Sequence, residues 1–362
     1  MDNTLRTHVE ALLKTIIDDN LQQNLFSSGA VKKLEINGST ATLDLVFGYR
    51  SIQNEKKLRV QLEQALAAIE GINSAHVTVT SKIVAHTTQN NIKPFKNVKN
   101  IIPVASGKGG VGKSTVSINL ALALAAEGAS VGILDADIYG PSQPRMLGHT
   151  EKPVSNDGKL MKPISAWGIQ AMSMGNLVSE ETAMIWRGPM VTQALNQLMN
   201  ETEWQNLDYL IIDMPPGTGD IQLTLAQKFP VSGAIVVTTP QDIALLDAHR
   251  ALKMFEKVNI PVLGVIENMS THICSHCQHE EAIFGSGGGE KMAEQNHIEL
   301  LGKLPLDISI RENSDRGQPS VAIEPDGKIA QIYRKIALRA AAQLSKHPKD
   351  YSSKFPEIVV NH

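Results

Sequence analysis

The chain has 362 residues, and its shares of apolar residues (42%) and charged residues (20%) are those of a globular protein with a sizeable core. Its length favours a large domain with a smaller one attached. Thirty-four basic residues against 37 acidic ones disfavour nucleic acid as the main partner, because no basic excess is present to neutralise phosphates. We expect a cytoplasmic protein without membrane contact, since no apolar run resembles a secretory signal or a membrane-spanning helix.

Residues 1–85 predict a small α+β domain. Apolar residues recur at helical spacing over residues 5–16, which indicates an amphipathic helix. Asn37-Gly38, a favoured tight-turn pair, separates two alternating runs and predicts a hairpin. A second amphipathic helix over 58–69 and a strand over 75–79 complete the order α-β-β-α-β.

The rest of the chain predicts a linker, a large α/β domain and a tail. Residues 86–97 are rich in Asn, Gln, Thr and Lys, as expected of a tether. Residues 98–345 alternate apolar β-rich runs with helical patterns, which predicts a mostly parallel sheet covered by helices on both faces. These runs lie at 101–105, 131–134, 209–212, 234–238 and 262–266. The tail, residues 346–362, contains Pro348 and Pro356, which disfavour a membrane-binding helix.

A glycine-rich run follows the first of these strands and opens a helix. Gly107, Gly112, Lys113 and Ser114 satisfy the G-x4-G-K-[ST] pattern of a phosphate-binding loop. Lys113 is expected against the β and γ phosphates of ATP and Ser114 on Mg²⁺, while backbone N–H groups surround the phosphates. The candidate nucleotide-binding residues of this run are Gly107, Lys108, Gly109, Gly110, Val111, Gly112, Lys113, Ser114 and Thr115. A merely structural glycine-rich turn is the alternative.

A second lysine, Lys108, follows the first glycine, although phosphate binding within one subunit does not require it. The run from Gly107 to Thr115 resembles the deviant Walker A motif of the MinD, ParA, ArsA and nitrogenase iron protein class. The resemblance implies that Lys108 reaches the nucleotide of a partner subunit, and therefore that the protein is a homodimer.

Three aspartates stand at the carboxyl ends of apolar runs, the edge at which open α/β sheets bind ligands. Asp213 is the candidate Walker B aspartate and precedes a Gly/Pro-rich, switch-like loop. The resemblance implies that Asp137 orients the attacking water and that Asp135 assists at the magnesium shell. The expected catalytic residues are therefore Lys108, Lys113 and Asp137. The alternative for Asp135 and Asp137 is a structural role, in which they cap a helix or stabilise a turn. The alternative for the loop after Asp213 is a turn without a function in catalysis.

The chain has two cysteines, Cys274 and Cys277, in a C-x2-C pair after the last apolar run. Thiolates at this spacing can grip one metal ion or one edge of a cluster. Zinc is the main rival to a cluster, because His272, His276 and His279 are close enough in sequence to complete a tetrahedral set. A redox dithiol and two unbonded loop cysteines are the remaining alternatives.

Four segments are similar to the Mrp/ApbC-type iron-sulfur cluster carriers, a narrower group within this class. They are residues 140–148, 186–190, 267–277 and 305–312. The resemblance covers about residues 98–345, and a small N-terminal domain is also typical of that family. It implies that Cys274 and Cys277 bind a cluster between two subunits and that Asn268 lies by the adenine. Gln278 departs from the family pattern, which usually has Gly after the second cysteine.

The sequence therefore predicts an ATP-dependent carrier that binds a labile 4Fe-4S cluster at a homodimer interface and transfers it to apo-proteins. Apo iron-sulfur proteins are the expected recipients, and cluster scaffold or donor proteins the expected sources. One alternative is a MinD- or ParA-like positioning ATPase, which needs a membrane-seeking helix or a basic DNA surface and no cysteine pair. The other is a zinc-bound P-loop ATPase without a cluster.

Overall fold

The computed structural model describes residues 2–89, 92–155, 158–177, 188–274, 276–277 and 279–350. Contacts divide this part of the chain into two compact units. The described residues of Met1–Ile83 and Ala341–Lys346 form one, and those of Val84–Ala340 and His347–His362 form the other. The sequence predictions that fall outside the described residues concern Trp186, Arg187, Gln278 and residues 351–362.

The first unit is a small α+β domain. Its elements are α1 (Asp2–Thr15), β1 (Ile17–Asp18), β2 (Gln23–Asn24), β3 (Val31–Asn37), β4 (Thr40–Phe47), α2 (Ile52–Ala67) and β5 (Ser74–Ser81). The main sheet has the order β3-β4-β5, with an antiparallel hairpin and then a parallel crossover through α2. Residues of β4 alternate between buried and half-buried positions, which is typical of a sheet with one face against the core. The predicted order is confirmed, with the short pair β1/β2 added.

The second unit contains the large sheet. Its strands are β6 (Val98–Ala105), β7 (Val131–Asp135), β8 (Ile164–Ala166), β9 (Ile169–Ser173), β10 (Leu207–Asp213), β11 (Ala234–Thr238), β12 (Val262–Glu267), β13 (His272–Ile273), β14 (Glu280–Glu281) and β15 (Leu300–Lys303). Within the described residues, eight of these form one sheet of order β15-β12-β11-β6-β10-β7-β9-β8, and only the β8/β9 pair is antiparallel. β13 and β14 form a separate antiparallel pair.

The sheet is accompanied by helices. They are α3 (Lys113–Ala126), α4 (Gln143–Leu147), α5 (Gly188–Glu201), α6 (Asp220–Lys228), α7 (Asp242–Lys257), α8 (Gly288–Gln295), α9 (Ile308–Asp315), α10 (Ser320–Ile323) and α11 (Lys328–Ser345). The residues of α11 from Ala341 onward belong to the first unit. β7 and β11 are buried at every residue, as expected of strands covered on both faces. The predicted fold class is confirmed. No helix in the described part of the chain is both long and apolar enough to cross a membrane.

The parallel arrangement brings the carboxyl ends of the central strands to one edge of the sheet. Asp213 at the end of β10 is in register with Asp135 at the end of β7 and with Val104 near the end of β6. On the other side of β6, Thr238 of β11 is in register with Glu267 of β12. The loops that follow these strands therefore share one edge, where open α/β sheets bind ligands.

Strands β8, β9 and β15 were not predicted, because they are short and lie at or next to the edges of the sheet. β9 contains Gln170, and β15 ends with Gly302 and Lys303. Neither strand therefore has the continuous apolar run by which the other strands were predicted. Hydrogen bonds to a neighbouring strand, rather than local pattern, define such edge segments.

The segment before β6 packs into the second unit through a buried glutamine. The Gln89 amide nitrogen donates to the carbonyls of Ala226 (2.7 Å) and Phe229, and its oxygen accepts the N–H of Val231 at 2.8 Å. All hydrogen-bonding atoms of this buried amide group therefore have partners.

Candidate functional site

The phosphate-binding run lies between β6 and α3, and two of its glycines are required by close contacts. A Cβ atom on Gly107 would lie 2.0 Å from the carbonyl carbon of Asp247 in α7. Gly112, the N-cap of α3, has φ +80°, and a Cβ atom there would lie 2.3 Å from Nδ2 of Asn268. A larger residue at either position would displace the loop from α7 or from Asn268.

The predicted phosphate lysine and the Walker B aspartate form a buried ion pair. Lys113 Nζ lies 2.5 Å from Asp213 Oδ1, and the two side chains are 6% and 0% exposed. Ser117 Oγ donates to the same oxygen at 3.0 Å, and Gln143 Nε2 donates to Oδ2 at 2.9 Å. Ser114 Oγ lies 3.2 Å from Lys113 Nζ. The fold thus assembles the predicted phosphate cation, magnesium hydroxyl and Walker B carboxylate in one place.

Asp135 holds the start of the loop that leads to α4. Its Oδ2 accepts the backbone N–H groups of Ser142 and Gln143, both at 3.1 Å, and the hydroxyl of Ser173 at 3.0 Å. Its Oδ1 accepts the backbone N–H of Asp137 at 3.1 Å. The carboxylate of Asp135 therefore holds both ends of the segment 137–143, which leads into α4.

The carboxylates at this edge are crowded, with Asp135 and Asp213 buried and Asp137 half-buried. Burial, and then the neighbouring carboxylate of Asp213, raise the pKa of Asp135 to about 7. Burial likewise raises the pKa of Asp137, although Lys113 opposes the shift. Carboxylate oxygens and the Ser114 hydroxyl are hard ligands of the kind that Mg²⁺ takes, so the donor chemistry fits that ion.

A cleft of about 230 Å³ opens beside the phosphate loop. Residues that line it include Thr115, Asn268, Met269, Pro305, Leu306 and Ile310. Asn268 Nδ2 donates to the carbonyl of Val111 at 2.8 Å, so this side chain joins the end of β12 to the phosphate loop. An apolar cleft with a few polar groups suits a flat organic ring such as a nucleobase.

The cysteine pair lies in the loop between β13 and β14. Cys274 is half-buried and Cys277 is exposed, and both are free thiols. The backbone N–H of Cys274 donates to the carbonyl of His279 at 2.9 Å. Backbone N–H groups of Cys277 and then of His276 lower the pKa of the Cys274 thiol by hydrogen bonding. The lowered pKa favours the thiolate, the form that binds metals.

The zinc alternative requires three or four ligands from one chain. Across the described residues, no group of three or more His, Cys, Asp or Glu side chains is close enough together to hold a metal ion. His272 Nδ1 instead lies 3.1 Å from the carbonyl oxygen of Leu306. Among the described residues, the cysteine loop therefore presents two thiols without a third His, Cys, Asp or Glu side chain close enough to share a metal ion with them.

Hydrogen bonds join the segment before the cysteines to a wall of the cleft. Ser270 N–H donates to the carbonyl of Leu304 at 2.9 Å, and Leu306 N–H donates to the carbonyl of Thr271 at 2.7 Å. Together with the contact between His272 and Leu306, they form a continuous set of bonds. The cleft and the approach to the cysteines thus share the segment 304–306.

Sequence reasoning missed several residues of this edge. Ser117, Gln143 and Ser173 bind the two buried aspartates, and residues 305–310 supply part of the cleft wall. Gln143 and the cleft wall lie in two of the segments that carried the family resemblance. That resemblance was the signal in the sequence that could have identified them as parts of the site. Neither residue type nor spacing predicted their contacts.

Comparisons with known proteins identify the family of the chain. Residues 97–341 match the family model of the NUBPL iron-transfer P-loop NTPases. The chain belongs to this NUBPL family. Residues 6–79 also match the model of an iron-sulfur cluster assembly protein. The resemblance drawn from the sequence motifs is therefore confirmed.

Relatives in the NUBPL family match along most of their length. The iron-sulfur cluster carrier protein of Haemophilus influenzae is 50% identical to this chain over 340 residues, and that of Escherichia coli is 51% identical over 341 residues. Each alignment covers 94% of this chain and 92% of the relative. The iron-sulfur cluster transfer protein NUBPL of Mus musculus is 50% identical over 259 residues, covering 71% of this chain and 81% of that protein.

Solved structures resemble the second unit. A nucleotide-binding protein from Archaeoglobus fulgidus, in complex with ADP, has a TM-score of 0.57 and 34% identity, covering 66% of this chain and 93% of that one. The cell division ATPase MinD of Pyrococcus furiosus has a TM-score of 0.53 and 23% identity, covering 66% and 97%. The likeness to MinD shows the fold alone.

Lys113→Ala should eliminate nucleotide binding or hydrolysis, because the phosphate cation is lost from a site built around it. ATP turnover and the binding of a fluorescent nucleotide measure the effect. Lys99→Ala is the matched control, since Lys99 pairs with Asp208 at 2.6 Å, near the start of β10, the strand that ends with Asp213. Unchanged ATP turnover in the Lys113 variant would contradict this assignment of the site.

Proposed function

We propose that this protein is an ATP-dependent iron-sulfur cluster carrier. In this proposal it binds a labile 4Fe-4S cluster at a homodimer interface, hydrolyses ATP and transfers the cluster to apo iron-sulfur proteins. One observation carries the proposal: the phosphate loop and the segment that leads to the C-x2-C pair lie at the same sheet edge, joined by hydrogen bonds beside the cleft. The carrier and transfer proteins that match most of the chain support it. We assign the activity to residues 98–345.

ATP is the substrate of the phosphate site. We infer that its phosphates draw Lys113 away from Asp213, since the phosphates carry more negative charge than one carboxylate. Asp213 and the hydroxyl of Ser114 would hold Mg²⁺, which would neutralise charge on the phosphates. Asp137, which is half-buried and close enough to Lys113 and Asp213 for their charges to affect its pKa, is assigned to orient the attacking water. Asp135 acts indirectly, by fixing the loop from Asp137 to α4.

The cleft beside Asn268 is assigned to the nucleobase. It adjoins the phosphate loop through Gly112 and Thr115, so base and phosphates can bind to one continuous surface. The ADP complex of the Archaeoglobus relative supports nucleotide binding by this fold.

Two features support a homodimer. Among the ion pairs within the described residues, none involves Lys108, so this lysine is available to a second subunit. The first turns of α7 expose Ile243 (69%) and Leu246 (66%). This part of α7 abuts the phosphate loop at Gly107 and packs near Gly288, the first residue of α8, the helix that follows the cysteine loop in the chain. Exposed apolar side chains at this place favour an interface with another copy.

The cluster is cargo, and each chain supplies two thiols for it. A 4Fe-4S cluster ordinarily takes four thiolates, so Cys274 and Cys277 of two subunits together complete one set. Their half-buried and exposed positions leave the cluster near the surface, which suits release to an acceptor better than permanent electron transfer.

Iron and sulfide counts test this proposal. Anaerobically reconstituted protein should contain about two iron and two sulfide ions per chain, because two chains share one four-iron cluster. Cys274→Ala and Cys277→Ala should each eliminate loading and transfer. Both variants should still bind ATP, since their loop follows a different strand from the phosphate loop. A count near four per chain, or a monomer that keeps the full chromophore, would show that the bridged-dimer assignment is wrong.

Lys108→Ala should spare much of the nucleotide binding and reduce turnover, if Lys108 serves the opposite subunit. Mixing this variant with Lys113→Ala tests action in trans, because each heterodimer then has one intact site. ATP turnover should return to about a quarter of the wild-type value in an equal mixture, since half of the dimers are mixed. Absence of complementation, with heterodimers shown to form, would place Lys108 in its own subunit's site.

Leu246→Asp should weaken ATP-dependent dimerisation, because a carboxylate would be buried at the proposed interface. Sedimentation velocity with a non-hydrolysable ATP analogue measures the shift from dimer to monomer. Val154→Asp is the control, since Val154 is equally exposed (65%) but lies in the loop that precedes the edge strand β8. Equal dimer fractions for the two variants would show that α7 does not lie in the interface.

A further inference from the structure

Gln143 lies where the three elements of the phosphate site meet. It is the first residue of α4 and is 1% exposed. Its backbone N–H donates to Asp135 Oδ2 at 3.1 Å. Its side-chain Nε2 donates to the carbonyl of Ser114 at 3.0 Å and to Asp213 Oδ2 at 2.9 Å. One residue thus ties the start of α3 to the carboxylates that end β7 and β10.

The other atom of this amide is an unused acceptor. The carbonyl of Ser114 and the carboxylate of Asp213 both only accept hydrogen bonds, so the atom between them must be the NH2 group. The remaining atom, Oε1, is buried and has no hydrogen-bond partner among the described residues, and the same holds for Ser142 Oγ. A buried carbonyl without a partner is costly, so a donor that arrives with a ligand is the expected occupant.

The hydrogen bonds of Asp213 are divided between its two carboxylate oxygens. Lys113 and Ser117 both contact Oδ1, whereas Gln143 alone contacts Oδ2 among the described side chains. Once Lys113 moves to the phosphates, the amide of Gln143 keeps the carboxylate from rotating. The orientation of Asp213 then depends on Ser117 and Gln143.

We propose that Gln143 is a positioning residue for the Mg²⁺ that accompanies the nucleotide. Its NH2 group holds the carboxylate of Asp213 in place, and its Oε1 would accept a hydrogen bond from a water molecule that arrives with the ion. Such outer partners fix the ligands and tune the affinity for the metal. This assignment rests on the proposed function of the phosphate site.

Gln143→Met tests the assignment, because methionine has a similar length and neither donates nor accepts strongly. Binding of a fluorescent ADP analogue is measured against free Mg²⁺ concentration. The Mg²⁺ concentration at half-maximal enhancement should rise about 10- to 100-fold, as for other outer partners of metal ligands. Affinity in excess EDTA should stay within about threefold of wild type, because Gln143 acts through the ion.

Gln89→Met is the matched control. Gln89 is another buried glutamine whose amide binds backbone groups, but all of its amide atoms are satisfied within the chain. Its loss should lower thermal stability and leave the Mg²⁺ midpoint unchanged. Should Gln143→Met fail to fold, Gln143→Asn carries the same prediction, since the shortened amide no longer reaches Asp213.

Wild-type Mg²⁺ midpoints in the Gln143 variants, or an equal shift in Gln89→Met, would overturn the assignment. A wild-type protein that binds no Mg²⁺-nucleotide at all would instead contradict the proposed function. The two failures are therefore distinguishable in one titration series.

Discussion

The functional edge of this protein depends on a buried ion pair between Lys113 and Asp213, 2.5 Å apart and withdrawn from water. Two charges at that depth are stable only if each compensates the other and the remaining hydrogen bonds are satisfied. Ser117 and Gln143 satisfy the carboxylate, and Asp135 fixes the segment that carries Gln143. An anion that takes Lys113 must therefore bring a cation for Asp213, which is what a magnesium-bound nucleotide supplies.

The same edge extends from the phosphate loop to the segment that leads to the thiols. Asn268 joins the phosphate loop to the end of β12, and the chain reaches Cys274 only six residues later. Between them, the chain is bonded to Leu304 and Leu306, and Leu306 also lines the cleft. A nucleotide in the cleft thus contacts the segment to which the cysteine loop is anchored. Differential binding of ATP and ADP there can bias how the thiols are presented, as a coupling between two sites requires.

Local chemistry made much of this predictable. The phosphate loop is a contiguous motif, and Asp213 follows an apolar run, so both could be read from neighbouring residues. The contacts of Gln143 could not, because they depend on the register of β7 against β10 and on where α4 begins. The lining of the cleft likewise unites positions more than 150 residues apart, such as Thr115 and Leu306, which only the folded chain brings together. The short strands β8, β9 and β15 could not be predicted either, because hydrogen bonds to neighbouring strands, rather than a local apolar pattern, define them.

Cluster transfer with and without nucleotide tests the central claim, that one sheet edge couples ATP to a releasable cluster. Reconstituted protein is mixed with an apo-protein that takes a 4Fe-4S cluster, and the rate of transfer is followed by circular dichroism. Mg²⁺-ATP should change the rate for the wild-type protein and leave it unchanged for Lys113→Ala. Equal wild-type rates with and without Mg²⁺-ATP would contradict the coupling.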